Sequence, residues 1–315
     1  MEPLGLVLLD FGGPERLSDV RPFLRRLFQD PAILPLPGPL REILAWSIAW
    51  RRTPVATARY QRLGGQSPGP AQIRQRATWM QGALGDRFLV RCAFRYVPPF
   101  AHEVVEGLAQ VGVRRIVALP SFPQRSFTTT DSCLQALHRA AGIHGVEVAD
   151  IVSFADVEGY VDALATGCTP ALPDSPYVLM VAHGLPERLV RRGDPYLDEV
   201  HRTAWALMAR LPGGTPGSVA FQSRLGPVKW VGPHLEDEIR RLGAEGRKAL
   251  LLVPLSFTTE NLETLYDLDL EATALAREAG FEKVFRAPVP SEAPFLRAMV
   301  DLVAEAVENG GWNVA

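Results

Sequence analysis

The sequence contains little cysteine, and its cysteines are widely spaced. Only three occur in 315 residues, Cys92, Cys133 and Cys168, and none belongs to a C-x-x-C pair. An odd number of scattered thiols argues against a disulfide framework, a zinc site and a Cys-ligated iron–sulfur cluster. We therefore expect a protein of a reducing compartment and place it in the cytoplasm.

Long apolar runs are also lacking. No run reaches the roughly 20 residues that a membrane-spanning helix requires, and the run at residues 4–9 lacks the basic flank of a signal peptide. The most apolar segment, residues 33–50, contains prolines and charges. It is either a core-facing helix, a mobile lip around an apolar ligand, or a surface that rests on a membrane.

Neither sign of charge is in excess. Lys and Arg number 33 against 35 Asp and Glu, which gives a net charge of −2. No basic surface is indicated, so we expect no nucleic-acid partner. The sequence also lacks a G-x-G-x-x-G fingerprint and a P-loop, which argues against a common dinucleotide-binding or nucleotide-hydrolysing protein.

Short apolar runs alternate with longer helical stretches along the chain. The predicted strands are residues 5–9, 88–92, 115–119, 178–182, 218–221, 249–253 and 283–286. The predicted helices are residues 18–28, 40–62, 70–84, 100–111, 130–141, 157–167, 194–210, 234–242, 261–279 and 291–308. Strand–helix alternation of this kind predicts an α/β fold with parallel sheets flanked by helices.

The pattern occurs twice, which predicts two similar Rossmann-like domains. Each half opens with an apolar strand followed by glycine and proline, and each later has a strand that ends in proline with Ser-Phe close behind. We assign residues 1–150 with the C-terminal helix 288–315 to one domain and residues 151–287 to the other. Because ligands of such sheets bind at the carboxyl ends of strands, we expect the active site in a cleft between the domains.

His183 directly follows an apolar strand, where side chains meet ligands. A neutral imidazole at this position accepts a proton near neutral pH. The alternative is a histidine that only makes a hydrogen bond at the end of a strand.

Three carboxylates follow a later strand at a spacing of four residues. Glu263, Asp267 and Glu271 would share one face of an α-helix, where like charges repel. Such a stripe suits a divalent cation, because carboxylate oxygens are good ligands for hard or borderline metals. The alternative is a solvated acidic face.

Basic and aromatic side chains supply further candidates. Arg51 and Arg52, with Ser67 in a Gly-rich turn, could hold the carboxylates of a ligand, or could lie in a simple surface turn. Trp230 follows a strand and a loop, where it could line an apolar site or only pack.

Segments around these residues resemble the ferrochelatase family, and the resemblance covers nearly the whole chain. The matching motifs, in chain order, are FGGP at 11–14, RRTP at 51–54, GGQSP at 64–68, FRYVP at 94–98, AHGLP at 182–186, RGDPY at 192–196, QSRLGPVKW at 222–230 and FTTENLETLY at 257–266. Several motifs in the same order are far more specific than any one of them.

The resemblance implies a chelatase-like fold and the insertion of Fe²⁺ into a porphyrin in haem biosynthesis. It implies that His183 and Glu263 are the catalytic pair, responsible jointly for metal delivery and removal of pyrrole protons. Metal-binding residues would be His183, Glu263, Asp267 and Glu271. Substrate-binding residues would be Phe11, Arg52, Tyr60, Ser67 and Trp230, with the segment around Leu27, Phe28 and Ile33 forming an apolar lip.

The sequence departs from the family pattern in three places. Asn261 stands where a histidine is frequent, and Phe11 replaces a Met or Tyr that some members carry near the metal. The chain ends without a C-terminal cysteine cluster, and Phe127 stands where cluster-bearing members can have a cysteine ligand. We therefore expect no cofactor and no [2Fe–2S] centre.

Other interpretations remain open at this level. The porphyrin could be protoporphyrin IX or coproporphyrin III, and a related enzyme that loads cobalt into another tetrapyrrole is a variant of the same hypothesis. A non-catalytic porphyrin or haem carrier with the same cleft is the alternative from a different class. We expect a monomer, because no heptad pattern is evident, with a membrane contact through residues 33–50 as a further hypothesis.

Overall fold

The structure is a computed structural model that describes residues 2–224, 226 and 228–312. It divides into two compact units. The first comprises the chain up to Ser121, Phe127–Val152 and the C-terminal part from Met299, and the second comprises Phe122–Ser126 and Ser153–Ala298. The sequence-based division near residue 150, with residues 288–315 returned to the first domain, stays a prediction.

The first unit contains a parallel sheet in the order β2-β1-β3-β4. Its strands are β1 (Leu4–Asp10), β2 (Phe88–Phe94), β3 (Arg115–Pro120) and β4 (Glu147–Asp150). Every residue of β1 is buried. A central strand that is covered on both faces has no polar side to show, which explains why β1 appears in the sequence as a continuous apolar run.

The helices of the first unit connect and flank these strands. They are α1 (Val20–Gln29), which follows a short 3₁₀ turn, α2 (Gly38–Arg62), α3 (Gly69–Leu84), α4 (Ala101–Gln110) and α5 (Thr130–His144). The helix α5 ends at Gly145, whose φ of 63° lies in the left-handed region that glycine adopts readily.

The second unit contains a parallel sheet in the order β6-β5-β7-β8. Its strands are β5 (Tyr177–His183), β6 (Gly217–Gln222), β7 (Ala249–Pro254) and β8 (Lys283–Arg286). Its helices are α6 (Glu158–Cys168), α7 (Glu187–Val190), α8 (Tyr196–Met208), α9 (Leu235–Ala244) and α10 (Thr273–Glu278). A 3₁₀ segment (Thr169–Asp174) follows α6, and a π-helix (Glu263–Ala272) leads into α10.

The last helix, α11 (Ala293–Asn309), belongs to the second unit up to Ala298 and to the first from Met299. One hydrophobic cluster of the second unit lies on one face of its sheet. Leu179, Val181, Leu250 and Leu252 of the strands pack there with residues of α9 and of the π-helix. In α9, Leu235, Ile239 and Leu242 recur at helical spacing, so that one stripe of the helix covers the sheet.

The predicted fold class is confirmed. All seven predicted strands are present, and the structure adds β4 and the short helix α7, which the sequence analysis missed. Residues of β4 are only partly buried, and an exposed edge strand carries too weak an apolar pattern to be recognised. The predicted helix 261–279 is present but starts as a π-helix rather than an α-helix.

Candidate active site

Two neighbouring strands of the second unit end with polar side chains in register. His183 closes β5, and its partner across the parallel ladder is Gln222, the last residue of β6. Gly184 follows His183, and a Cβ atom there would lie 2.7 Å from the carbonyl oxygen of Gln222. Only glycine permits this approach, and the two strand ends therefore hold His183 and Gln222 side by side.

Glu263 reaches the same point from the start of the π-helix. The Oε2 atom of Glu263 lies 2.8 Å from Nδ1 of His183 and accepts a hydrogen bond of 2.9 Å from Nε2 of Gln222. Asn261 fixes the backbone at this point, because its Oδ1 atom accepts the backbone N–H groups of Glu263 at 2.8 Å and Thr264 at 3.3 Å. Three separate segments therefore converge on one carboxylate oxygen.

The pair is electrostatically coupled. Burial lowers the pKa of His183, but the negative charge of Glu263, the hydrogen bond to it and the charge of Asp267 outweigh burial and raise the pKa above its usual value. For Glu263, burial favours the neutral acid, but the charge of His183 and the hydrogen bonds from His183 and Gln222 leave the pKa lowered. Glu263 is therefore an anion near neutral pH.

An ionised carboxylate can only accept hydrogen bonds, so the contact requires a proton on Nδ1 of His183. In the neutral imidazole, Nε2 is then the nitrogen with a free lone pair. The pair of His183 and Glu263, called the dyad below, therefore presents a base that can take up a proton at Nε2 of His183.

The acidic stripe extends from this dyad along the π-helix. Asp267 is half-buried and Glu271 is exposed. The sequence analysis placed the three carboxylates on an α-helix, whereas a π-helix with i→i+5 hydrogen bonds carries them. This rare form is frequent at functional sites. Among the described residues, no three His, Cys, Asp or Glu side chains form a group that could hold a metal ion, so the four predicted metal-binding residues are not a preformed cage.

Arg286 contacts one acidic residue of the π-helix and one of the loop before it. Its guanidinium makes two hydrogen bonds to the carboxylate of Asp269, at 2.6 Å and 3.1 Å, and one of 2.8 Å to Oε1 of Glu260. Bidentate arginine–carboxylate pairs fix geometry as well as charge. The last residue of β8 therefore fastens the π-helix and the loop before it to the sheet.

Trp230 belongs to the second unit and lies in the loop that follows β6. It forms an antiparallel bridge with Pro186 and is half-buried. Its ring lies 3.3 Å from the position that a Cβ atom of Gly184 would occupy. The structure thus brings Trp230 close to the glycine that follows His183.

Two of the predicted substrate-binding residues of the first unit lie in or against the loop that follows β1. Phe11 follows β1, and its ring centroid is 4.9 Å from that of Tyr96. Ser67 is buried and donates its backbone N–H to the carbonyl oxygen of Pro14 at 2.7 Å. A Cβ atom on Gly13 would lie 2.6 Å from Oγ of Ser67, so glycine is needed where the two loops touch.

Arg52 and Tyr60 both belong to α2. The guanidinium of Arg52 lies 5.9 Å from the ring centroid of Phe28 on α1, and burial together with the charge of Arg59 lowers the pKa of Arg52. Tyr60 is buried, and its carbonyl oxygen accepts the N–H of Gly65 at 2.8 Å. Of the lip residues, Phe28 is buried, whereas Leu27 and Ile33 are half-buried.

Most of α2 does not face the core. Only Ala45, Ala49 and Tyr60 are buried among its residues, so the core-facing interpretation of this segment is wrong for its larger part. The exposed apolar side chains of α2 are Leu40, Ile43, Leu44, Trp46, Trp50 and Val55. No helix among the described residues is long and apolar enough to cross a membrane.

The sequence analysis assigned no role to Gln222 and treated Asn261 only as a missing histidine. The signal for Gln222 is its place directly after the predicted strand 218–221, because side chains at the carboxyl ends of strands meet ligands. For Asn261 the signal is a side-chain acceptor two residues before Glu263, a common way to start a helix.

The two parallel sheets and the dyad at the end of a strand define a chelatase-like α/β protein. The iron-bound SirB of Bacillus subtilis superposes on the chain with a TM-score of 0.62, at 12% identity, over 99% of this chain and 100% of that one. A cobalt-bound sirohydrochlorin chelatase SirB from Bacillus subtilis subspecies spizizenii gives a TM-score of 0.60 at 11% identity, over 98% of each chain. At these identities the likeness shows the fold alone.

The sequence comparisons identify the family. The ferrochelatase family profile matches residues 3–307. Ferrochelatases of Nostoc sp. and Phenylobacterium zucineum are 36% and 38% identical to the chain, over 100% and 98% of its length and 85% and 92% of theirs. The chain therefore belongs to the ferrochelatase family.

Its function follows from this membership. The chain is a porphyrin metal chelatase that inserts Fe²⁺ into a porphyrin in haem biosynthesis. The activity expected from the sequence is confirmed, and none of these comparisons favours the non-catalytic carrier.

Proposed function

We propose that this chain inserts Fe²⁺ into its porphyrin at the dyad of His183 and Glu263. The observation that carries the proposal is the distance of 2.8 Å between Nδ1 of His183 and Oε2 of Glu263. This contact leaves Nε2 of His183 as the proton acceptor and keeps Glu263 anionic. The dyad thus combines the two properties that the reaction needs, a base for the pyrrole protons and a negative charge for the metal.

The reaction releases two protons, because two pyrrole N–H groups lose their hydrogens as Fe²⁺ enters. The raised pKa of His183 makes it a stronger base than an isolated imidazole. Its protonated form is stabilised by the adjacent carboxylate of Glu263. Asp267 and Glu271 continue the negative potential toward solvent, along which the cation approaches and protons leave.

Substrate binding falls to Phe11, Arg52, Tyr60, Ser67 and Trp230. Arg52 and Ser67 contact the carboxylates of the porphyrin, because a guanidinium and a hydroxyl both donate to carboxylate oxygens. Phe11, Tyr60 and Trp230 line the apolar part of the site, and Leu27, Phe28 and Ile33 form its lip. Rings of this kind suit the flat face of a tetrapyrrole.

No resident cofactor takes part in this scheme. The sequence offers three widely spaced cysteines, none of them in a C-x-x-C pair, whereas such a cluster is usually held by four cysteine ligands. We expect the purified protein to contain no acid-labile sulfide and no cluster absorbance. Stoichiometric sulfide would contradict this part of the proposal.

The chain acts as a cytoplasmic monomer that rests on the membrane through α2. Its exposed Trp46 and Trp50 and the arginines on the same helix suit a lipid interface. Co-sedimentation with vesicles of phosphatidylglycerol and phosphatidylcholine tests the contact. We expect Trp50→Ser to weaken it, whereas Trp205→Ser, which alters an even more exposed tryptophan on α8, should not.

Anaerobic insertion of Fe²⁺ or Zn²⁺, followed by absorbance, tests the central proposal. Protoporphyrin IX and coproporphyrin III are assayed in parallel, and the faster one identifies the substrate. We expect His183→Ala and Glu263→Gln to abolish insertion while porphyrin binding persists. The matched control is His138→Ala, because His138 also lies 2.8 Å from a carboxylate oxygen, that of Asp150, at an exposed position. Full activity of both dyad variants would contradict the proposal.

A further inference from the structure

Gln222 is almost fully buried, with 3% of its surface exposed. Its Nε2 atom donates to Oε2 of Glu263 at 2.9 Å, which is the oxygen that His183 also contacts. Its own Oε1 atom is buried and has no hydrogen-bond partner among the residues that the structure describes. The amide nitrogen of Gln222 thus makes a hydrogen bond, whereas its amide oxygen makes none within the described part of the chain.

The orientation of this amide follows from its neighbour. With the amide reversed, Oε1 would face a carboxylate oxygen, and two acceptors would repel each other. The donor must therefore point at Glu263, and the acceptor is left buried with no hydrogen-bond partner among the described residues. A buried amide with an unsatisfied oxygen is less favourable for folding than an apolar side chain of the same shape.

Because the buried amide of Gln222 does not favour folding, its presence at the end of β6 is better explained by its contact with Glu263. The carboxylate of Glu263 receives one hydrogen bond from the strand of His183 and one from the strand of Gln222. Two donors from adjacent strand ends hold the Oε2 atom of Glu263 between them. With only the imidazole as donor, the carboxylate could swing away from the dyad.

We propose that Gln222 is a positioning residue of the insertion reaction, which holds the Glu263 carboxylate against His183 through its side-chain amide. This inference rests on the proposed function of the dyad. Gln222 acts through Glu263 and does not itself touch the reacting atoms. Supporting residues of this kind typically change activity by about 10- to 100-fold when they are replaced.

The decisive variant is Gln222→Met, which keeps the length of the side chain and removes the amide. We expect kcat for Fe²⁺ insertion to fall by about 10- to 100-fold, while KM for the porphyrin changes less than about twofold because the pocket is intact. The melting temperature should stay the same or rise, because an unsatisfied oxygen is removed. A purely structural role would lower the melting temperature instead.

A second variant and a control complete the experiment. Gln222→Asn retains an amide but is one methylene too short to reach Glu263, so it should lose kcat in the same way. Ser218→Ala is the matched control, because Ser218 lies on the same strand and donates at 2.8 Å to a different glutamate, Glu238. It should retain full activity.

The outcomes separate this inference from the function on which it rests. Wild-type protein without insertion activity would overturn the function itself. Active wild-type protein with full kcat in both Gln222 variants would overturn only the positioning role. Failure of both variants to fold would also overturn it, because Gln222 would then be required for the fold.

Discussion

Nδ1 of His183 lies 2.8 Å from Oε2 of Glu263, although 80 residues separate the two along the chain. The contact joins the end of a strand to the start of a π-helix. It raises the pKa of the histidine and lowers that of the glutamate, so each partner stabilises the charged form of the other.

The titration of His183 should reveal this coupling. In the wild-type protein we expect an NMR midpoint above the usual 6.5, and in Glu263→Gln a lower one, because burial then acts without the opposing charge. The folded pKa of His183 is raised, so its stabilising effect is present at low pH and is lost as pH rises through that pKa. An unchanged midpoint in the variant would refute the coupling.

Gly12 should be less replaceable than another glycine with a similar backbone. Gly12 has a φ of +73°, and a Cβ atom there would lie 2.3 Å from Cγ2 of Val97. Gly64 has a φ of +87° but open space around the same position. We expect Gly64→Ala to lower the free energy of unfolding by about 1 kcal/mol and Gly12→Ala by about 2 kcal/mol more. Urea denaturation of the two variants measures the difference, and equal losses would contradict the crowding argument.

Arg286 should matter for both stability and catalysis. It is the cation that Asp269 and Glu260 share, and only 16% of its side chain is exposed. We expect Arg286→Met to lower the free energy of unfolding by about 2 kcal/mol and to reduce kcat, because the π-helix that carries Glu263 loses its anchor. Denaturant titration and the insertion assay measure the two effects.

A control for this variant is available in an exposed ion pair of the same unit. Lys248 lies 3.0 Å from Glu282, and about two thirds of each side chain is exposed. Because exposed pairs contribute little, Lys248→Met should change the free energy of unfolding by less than about 1 kcal/mol. If Arg286→Met is equally mild, Arg286 does not anchor the helix.

Asp10 should make the stability of the protein depend on pH. Burial raises the pKa of Asp10 from 3.8 to about 6, against the opposing effects of the Gly12 N–H and of Arg76. Folding therefore favours the protonated form, and the contribution of Asp10 to stability falls as pH rises from about 4 to about 6. Asp10→Asn keeps an acceptor for the Gly12 N–H but cannot ionise.

The free energy of unfolding of Asp10→Asn should equal that of the wild type near pH 4 and should exceed it by a growing amount as pH rises. The gain is up to about 1.4 kcal/mol per pH unit between pH 4 and 6. Urea denaturation of both proteins at pH 4.5, 5.5, 6.5 and 7.5 measures it. A difference in the free energy of unfolding between the two proteins that stays constant across this pH range would show that Asp10 is ionised throughout.

The sequence by itself determined the fold class and most of its elements. Strands such as β1 and β7 are buried on both faces of a parallel sheet. Their residues are therefore apolar at consecutive positions, and such runs can be recognised in the sequence. His183 and Glu263 were also found, because each lies within a motif shared with a known family.

Only the tertiary structure decided how these residues work together. The pairing of β5 with β6 sets Gln222 beside His183, and nothing local in either segment specifies that neighbour. Likewise, the spacing of Glu263, Asp267 and Glu271 fits an α-helix, but the structure forms a π-helix held by Arg286 from β8. Hydrogen bonds between distant segments override local periodicity, so the charges and geometry of the dyad emerge only once the chain has folded.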